Sequence, residues 1–323
     1  MVGIDDILAA RDRIGDAVEV TPMRLSSALT RLAGGPVWLK CEHRQRTGAF
    51  KLRGATNAVA RLGLVAGVTT ASTGNHGRAL AHAARERGLR AVICVSRLVP
   101  ANKLAAIRDL GAEARVIGVS QDAAFDEARR LQRDEGFALI PPFDHEDVIA
   151  GQGTLGLEIL DQCPDAATIA VPLSGGGLLA GVAAAAKARR PDLRIVGISM
   201  ERGAAMAASL RAGRPVEVEE LPTLADSLGG GIGLQNRLSF AMVRALMDDL
   251  ILLPEDEIAE GIRHLARTEG EVVEGAAAVG VAAVLAGRLD ARAGPLVLIL
   301  SGANIDPALH ARVMAGGPEC PIS

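Results

Sequence analysis

Tyrosine is absent from the 323 residues, tryptophan occurs once and phenylalanine five times. A mechanism built on a tyrosine hydroxyl is excluded. Charge of one sign is also lacking: 35 Lys and Arg stand against 38 Asp and Glu, a formal net charge of −3, without a basic block or a basic stripe interleaved with aromatics. No nucleic-acid partner is expected. No run of ~18 apolar residues occurs, so no spanning helix is expected. The opening MVGIDDILAARDRIGDAV is acidic and amphipathic where a secretory signal would be basic and then apolar. The four cysteines, Cys41, Cys94, Cys163 and Cys320, lack CxxC spacing, and the six histidines contain no HExxH or other zinc-ligand spacing. Buried free thiols in a reducing cytoplasm, and no metal, are the expectations.

Alanine and glycine dominate instead, which suits helices packed tightly on sheets. Short β-branched runs recur, each followed by a turn and a helical pattern: VWLKCE (37–42), GVTTAS (67–72), AVICVS (91–96), ARVIGV (114–119), TIAVPLS (168–174), RIVGISM (194–200) and LVLILSG (296–302). They alternate with amphipathic stretches such as RALAHAARERG (78–88) and LAGVAAAAKARR (179–190). Such alternation predicts an α/β fold of parallel sheets. The length exceeds one comfortable core, and one block of the alternation reads as a lobe inserted into a larger one. The expected division is a discontinuous large domain, 1–64 with 145–323, and a small mobile domain, 65–144.

Five segments carry chemistry-bearing residues. In VPLSGGGLLAG a strand runs through Ser174 into Gly175, Gly176, Gly177 and Leu178 at a helix start. Glycines there let N–H groups and the helix N-terminus meet a phosphate, and a plain tight turn is the alternative. The pattern is neither a dinucleotide fingerprint nor a P-loop. In ASTGNHGRAL the residues Ser72, Thr73, Asn75 and His76 surround Gly74 at a second helix start. That arrangement suits a carboxylate, and simple N-capping by Ser72 or Thr73 is the alternative. Ser301 ends the strand LVLIL, where ligands bind in open α/β sheets, or else caps its own turn. Glu274 precedes a small-residue helix and reads equally as a first-turn carboxylate.

The fifth segment is TGAFKLRGA, with Lys51 between Phe50 and Leu52. A lone lysine is ordinarily a surface charge. One desolvated by such neighbours has a lowered pKa and becomes a nucleophile. A lysine, a phosphate cradle and a carboxylate cradle together are the parts of a pyridoxal phosphate site, since the aldehyde needs an amine and the phosphate needs N–H donors.

Across nearly its whole length the chain resembles the fold type II pyridoxal-phosphate enzymes, in the branch of threonine/serine dehydratases and serine racemases. The resemblance rests on GAFKLRGA, STGNHG (72–77), PPFDHEDVIAGQGT (141–154), SGGGLLAG (174–181), EGAAAVG (274–280) and LSGANID (300–306), six motifs in order. It implies a tryptophan-synthase-β-like fold with the cofactor in a cleft. It also implies that Lys51 bonds the cofactor and takes the Cα proton, Ser174 to Leu178 hold the phosphate, and Asn75 meets the ring hydroxyl. Ser301 would meet the pyridine nitrogen, Phe50 and Glu274 would line the cofactor, and Ser72, Thr73, Asn75 and His76 would receive the substrate carboxylate.

A hydroxyl at the ring nitrogen weakens the electron sink and favours loss of a β-hydroxyl over transamination. The implied activity is therefore an ammonia-lyase on a β-hydroxy amino acid, giving a 2-oxo acid and ammonia. A serine or aspartate racemase, a 3-hydroxyaspartate dehydratase and a non-catalytic binding protein stay open as alternatives. The chain departs from the family at Ala49, where serine is usual, at Ser174, where a fourth glycine is usual, and at Thr73, where racemases use serine. Ser199 and Ala205 stand where relatives carry cation ligands, with Glu201 the one acid nearby, so no metal is expected there. A narrower resemblance to hydroxyectoine-utilisation dehydratases suggests a substrate derived from that solute. The family also implies a homodimer.

Overall fold

The strands most easily read from the sequence are those with the deepest burial. Every residue of GVTTA, AVICV and TIAVP is buried, as β-branched runs in parallel sheets with covered faces require. The computed structural model describes residues 1–316 except Thr73, Leu98, Pro100 and Ser120, so Thr73 and Cys320 lie outside the described residues. Ten strands occur among those described: β1 (Met23–Leu25), β2 (Val37–Lys40), β3 (Gly67–Ala71), β4 (Ala91–Val95), β5 (Glu113–Val116), β6 (Phe137–Leu139), β7 (Thr168–Pro172), β8 (Arg194–Met200), β9 (Asp249–Leu253) and β10 (Leu296–Ile299).

They form two sheets. One has six strands in the order β1-β2-β10-β7-β8-β9, parallel except for the edge strand β1. The other has four parallel strands, β5-β4-β3-β6, all drawn from residues 67–139. All seven runs picked out in the sequence contain a strand. Three more strands occur in segments that periodicity passed over: β1, β6 and β9.

The helix Gly275–Leu285 is buried through nine-tenths of its length in the core of the six-stranded sheet. Between the sheets lie two helices, Lys51–Ala60 and Glu146–Gln162, and their spacing matters for the site. A Cβ at Gly151 would lie 2.6 Å from the Arg53 carbonyl oxygen, and one at Gly54 would lie 2.5 Å from Gln152 Nε2. Only glycines permit that approach, which sets how deep Lys51 sits.

Below Lys51 the same helix buries a charged network. Arg53 and Glu42 are both 0 % exposed. Arg53 donates through Nε to Glu42 at 2.7 Å and through Nη1 to Glu158 at 2.6 Å. Lys40 donates to Glu158 at 2.8 Å and to the Thr21 carbonyl at 2.8 Å. Burial pushes Glu42 toward its neutral form, but the guanidinium of Arg53 and the ammonium of Lys40 outweigh it and hold the carboxylate ionised. The network ties β2 and the helix Glu146–Gln162 to the turn that carries Lys51. Cys41, Cys94 and Cys163 are buried free thiols. No helix among the described residues is long and apolar enough to cross a membrane.

Candidate active site

Lys51 is the first residue of its helix, so its ammonium faces the positive end of that helix's dipole. Its Nζ donates to the Pro142 carbonyl at 2.7 Å and lies 5.2 Å from the centre of the Phe50 ring. Burial of the amine lowers its pKa to about 8, against a smaller opposing pull from Glu274. About a tenth of the Lys51 amine is therefore neutral at pH 7, far more than of an ordinary lysine.

Backbone stitching brings the other candidates to it. Phe50 N donates to the Ser301 carbonyl at 3.0 Å, and Ala303 N to the Gly48 carbonyl at 2.8 Å. Glu274 N donates to the Gly302 carbonyl at 3.1 Å. Ser301, 2 % exposed, thus lies in a short segment, 301–303, bonded to the turn before Lys51, and that segment also holds Glu274, 3 % exposed. Asn75 Nδ2 donates to Glu274 Oε1 at 2.8 Å, which adds the second helix start, Asn75–Glu86.

The residue capping that helix is Gly74, with no side-chain cap. Plain N-capping by Ser72 is therefore not what the structure holds. Ser72 is half-buried, and its carbonyl is packed so closely on Gly77 that a Cβ there would collide with it. Glu274 likewise caps the next helix by position only, since its side chain turns to Asn75. Burial raises its carboxyl to about 7, with Asp226 adding to the rise and Asn75 and Ser227 opposing it. His76 Nε2 lies 2.9 Å from the Ile140 carbonyl, so that nitrogen is the protonated one. Burial, helped by the nearby charge of Lys51, drops this imidazole to about 3 and keeps it neutral.

The phosphate-type turn follows β7. Ser174 is half-buried, Gly175, Gly177 and Leu178 are buried, and Gly176 caps the helix Gly177–Arg189 at φ 87°, in the left-handed region. The first-turn N–H groups of that helix have no acceptor within it. The triple glycine has a packing cause that the sequence did not reveal. A Cβ at Gly175 would strike the Phe143 ring, and one at Gly177 would lie 2.8 Å from the Phe143 carbonyl. Pro142 and Phe143 thus touch both Lys51 and the glycine turn. Asp144 holds their segment, accepting from Leu238 N at 2.8 Å and Ser239 N at 2.9 Å.

The cluster Cys41, His43 and Glu271 also has the elements of a metal site. The Glu271 carboxylate is already taken by His43 at 2.8 Å, Arg44 at 2.5 Å and Arg24 at 3.4 Å. Two guanidiniums are poor company for a cation.

A desolvated amine, a glycine turn at a helix N-terminus whose cradle a Cβ would fill, and a buried hydroxyl at a strand's C-terminal end define an α/β enzyme of the cofactor-binding kind. The donor set fits a group carrying an aldehyde, a phosphate and a ring nitrogen. The chain belongs to the pyridoxal-phosphate dependent enzymes, whose family model matches residues 14–302. It is 55 % identical, over 98 % of its length and 96 % of the relative's, to a protein of Sinorhizobium fredii assigned as a threonine dehydratase. It is 39 % identical to the L-threonine ammonia-lyase of Thermotoga maritima, over 98 % of this chain and 79 % of that one. Maize serine racemase superposes with a TM-score of 0.91 at 34 % identity, covering 98 % and 97 % of the two chains.

Proposed function

We propose that the protein is a pyridoxal-phosphate-dependent ammonia-lyase that removes the β-hydroxyl of a hydroxy amino acid, with L-threonine the leading substrate, to give a 2-oxo acid and ammonia. The observation that carries this reading is the lowered amine of Lys51, held by backbone bonds next to a neutral hydroxyl at Ser301. When bound, pyridoxal phosphate supplies an aldehyde that takes up amines and a ring that accepts the electrons left by a departing Cα proton.

The rest falls to the chain's residues. Lys51 would hold the cofactor through Nζ, and its lowered amine is the base that would take the Cα proton. The N–H groups of Gly175, Gly176, Gly177 and Leu178 take the phosphate, with Ser174 at the rim. Asn75 would offer an N–H to the ring oxygen, Phe50 would pack against the ring, and Ser301 would meet the ring nitrogen without charging it. Ser72, Thr73, Asn75 and His76 would receive the substrate carboxylate.

Residues 65–144 form the small mobile domain in this reading, supported by the self-contained sheet of 67–139. A cytoplasmic setting is supported by the three buried thiols, and a homodimer by the family resemblance.

Purified protein is incubated with L-threonine, L-serine, 3-hydroxyaspartate and a hydroxyectoine-derived hydroxy amino acid, and ammonia and oxo acid are measured. Release from at least one is the expected result. Inversion at Cα without any oxo acid would establish the racemase instead, a reading the resemblance to maize serine racemase favours. A pH effect follows as well. The neutral amine is the reactive form, so cofactor-free protein takes up pyridoxal phosphate about tenfold faster at pH 7 than at pH 6 and levels off above about pH 8. Stopped-flow absorbance measures it, and a midpoint near that of free lysine would contradict the desolvation of Lys51.

A further inference from the structure

Arg78 follows Asn75 by one helical turn, and the contacts linking them run in one direction. A guanidinium can only donate, and its Nη1 lies 2.7 Å from Asn304 Oδ1, so that oxygen accepts. The Asn304 amide nitrogen must then donate, to Asn75 Oδ1 at 2.6 Å and to the Thr47 carbonyl at 3.1 Å. Asn75, its oxygen already used, aims its Nδ2 at Glu274 Oε1. The two ends of an asparagine amide have nearly the same shape, so packing alone does not choose between them. The hydrogen-bond partners choose. The Thr47 carbonyl favours the same orientation of Asn304 through one longer contact, and Arg78 adds the shorter, charge-assisted one.

We propose that Arg78 and Asn304 are positioning residues that polarise the amide of Asn75, so that its N–H groups face Glu274 and the cofactor ring. Only the half concerning the ring rests on the function proposed above; the half concerning Glu274 lies wholly within the protein. The groups acting on Glu274 are the donors Asn75 and Ser227 and the charges of Asp226, Lys103, Lys51 and Arg78. Loss of Arg78 removes one cation and leaves the orientation of the two amides to the longer Thr47 contact alone. Both changes favour the protonated carboxyl.

The test compares wild type with Arg78→Met and Arg78→Lys, the latter keeping a charged, donor-only group. In cofactor-free protein labelled with 13C-glutamate, the Glu274 carboxyl resonance, assigned by its absence in Glu274→Gln, is titrated by NMR. The expected midpoint moves up by about one pH unit in Arg78→Met and stays within about 0.3 unit in Arg78→Lys. In the holoenzyme the pH dependence of the cofactor band moves the same way. There kcat falls about tenfold in Arg78→Met and recovers to within about threefold of wild type in Arg78→Lys. An unmoved midpoint in a folded Arg78→Met overturns the proposal, and so does an equal displacement in Arg78→Lys. If Arg78→Met does not fold, Arg78→Gln is read by the same criterion. A wild type without any cofactor band refutes the proposed function, and the NMR titration still decides the role of Arg78.

Discussion

Replacing Lys51 by alanine abolishes the visible absorption band of bound cofactor and lowers kcat/KM for ammonia release by about 10⁴-fold. The single side chain is the site of attachment and also the proton acceptor, so one substitution removes both contributions. A variant that keeps the band and loses less than tenfold in rate would refute the assignment.

The loss is separable from unfolding because Lys51 is a burden on the fold. Its amine has a pKa of about 8 in the folded chain and the ordinary value of 10.5 in the unfolded one. Between those values the unfolded state binds the extra proton, so the stability of cofactor-free protein rises with pH from about 8 to 10.5. Below pH 8 the full cost of an enclosed ammonium is present. Lys51→Ala therefore melts no lower than wild type at pH 7 when both are free of cofactor, and a drop of many degrees would contradict the desolvation argument.

Arg53, two residues further on, behaves in the opposite way. Arg53→Met strips the counter-charge from Glu42, which has no exposure, and from Glu158. Breaking a buried pair on one side costs roughly 3–5 kcal/mol, more than the pair itself contributes over an apolar substitute. The expected fall in melting temperature is roughly 10 °C. Removing the abandoned carboxylate as well, in Arg53→Met with Glu42→Gln, recovers part of it, because the two sites share one interaction. Thermal melting measures both. A single variant that melts within about 2 °C of wild type would show the network to be energetically idle.

The contrast between neighbours explains what could be read in the sequence. The buried strands announced themselves because parallel β-strands between helices are continuously apolar. β1 and β6, three residues each, are too short for a period to register, and β9 follows so closely on the helix Leu238–Leu246 that DLILL reads as its continuation. In the site, Lys51, Asn75, Glu274 and Ser301 were legible because each sits at or beside the end of an element, where backbone groups are left without partners inside it. Arg53, Glu42 and Glu158 were not. Charged residues ordinarily signify surface, and nothing local distinguishes three that meet in the interior. Arg78 and Asn304 escaped for another reason: their partners are 226 positions apart. The glycine turn was read only as a phosphate cradle, and Phe143, whose packing demands glycine there, went unnoticed because it lies more than thirty residues upstream.

Strand order also dictates a timetable for the nascent chain. β10 lies between β2 and β7, so the six-stranded sheet stays split until residues 296–299 have been made. The four-stranded sheet has all of its strands by residue 139. At translation rates of roughly 5–20 residues per second, the lag between them is about 10–30 s. Once β7 has been made as well, β2 and β7 each present an unpaired apolar edge until β10 arrives. The burden of avoiding aggregation during synthesis thus falls on the larger sheet, and chaperone dependence is expected to track the arrival of the last strand.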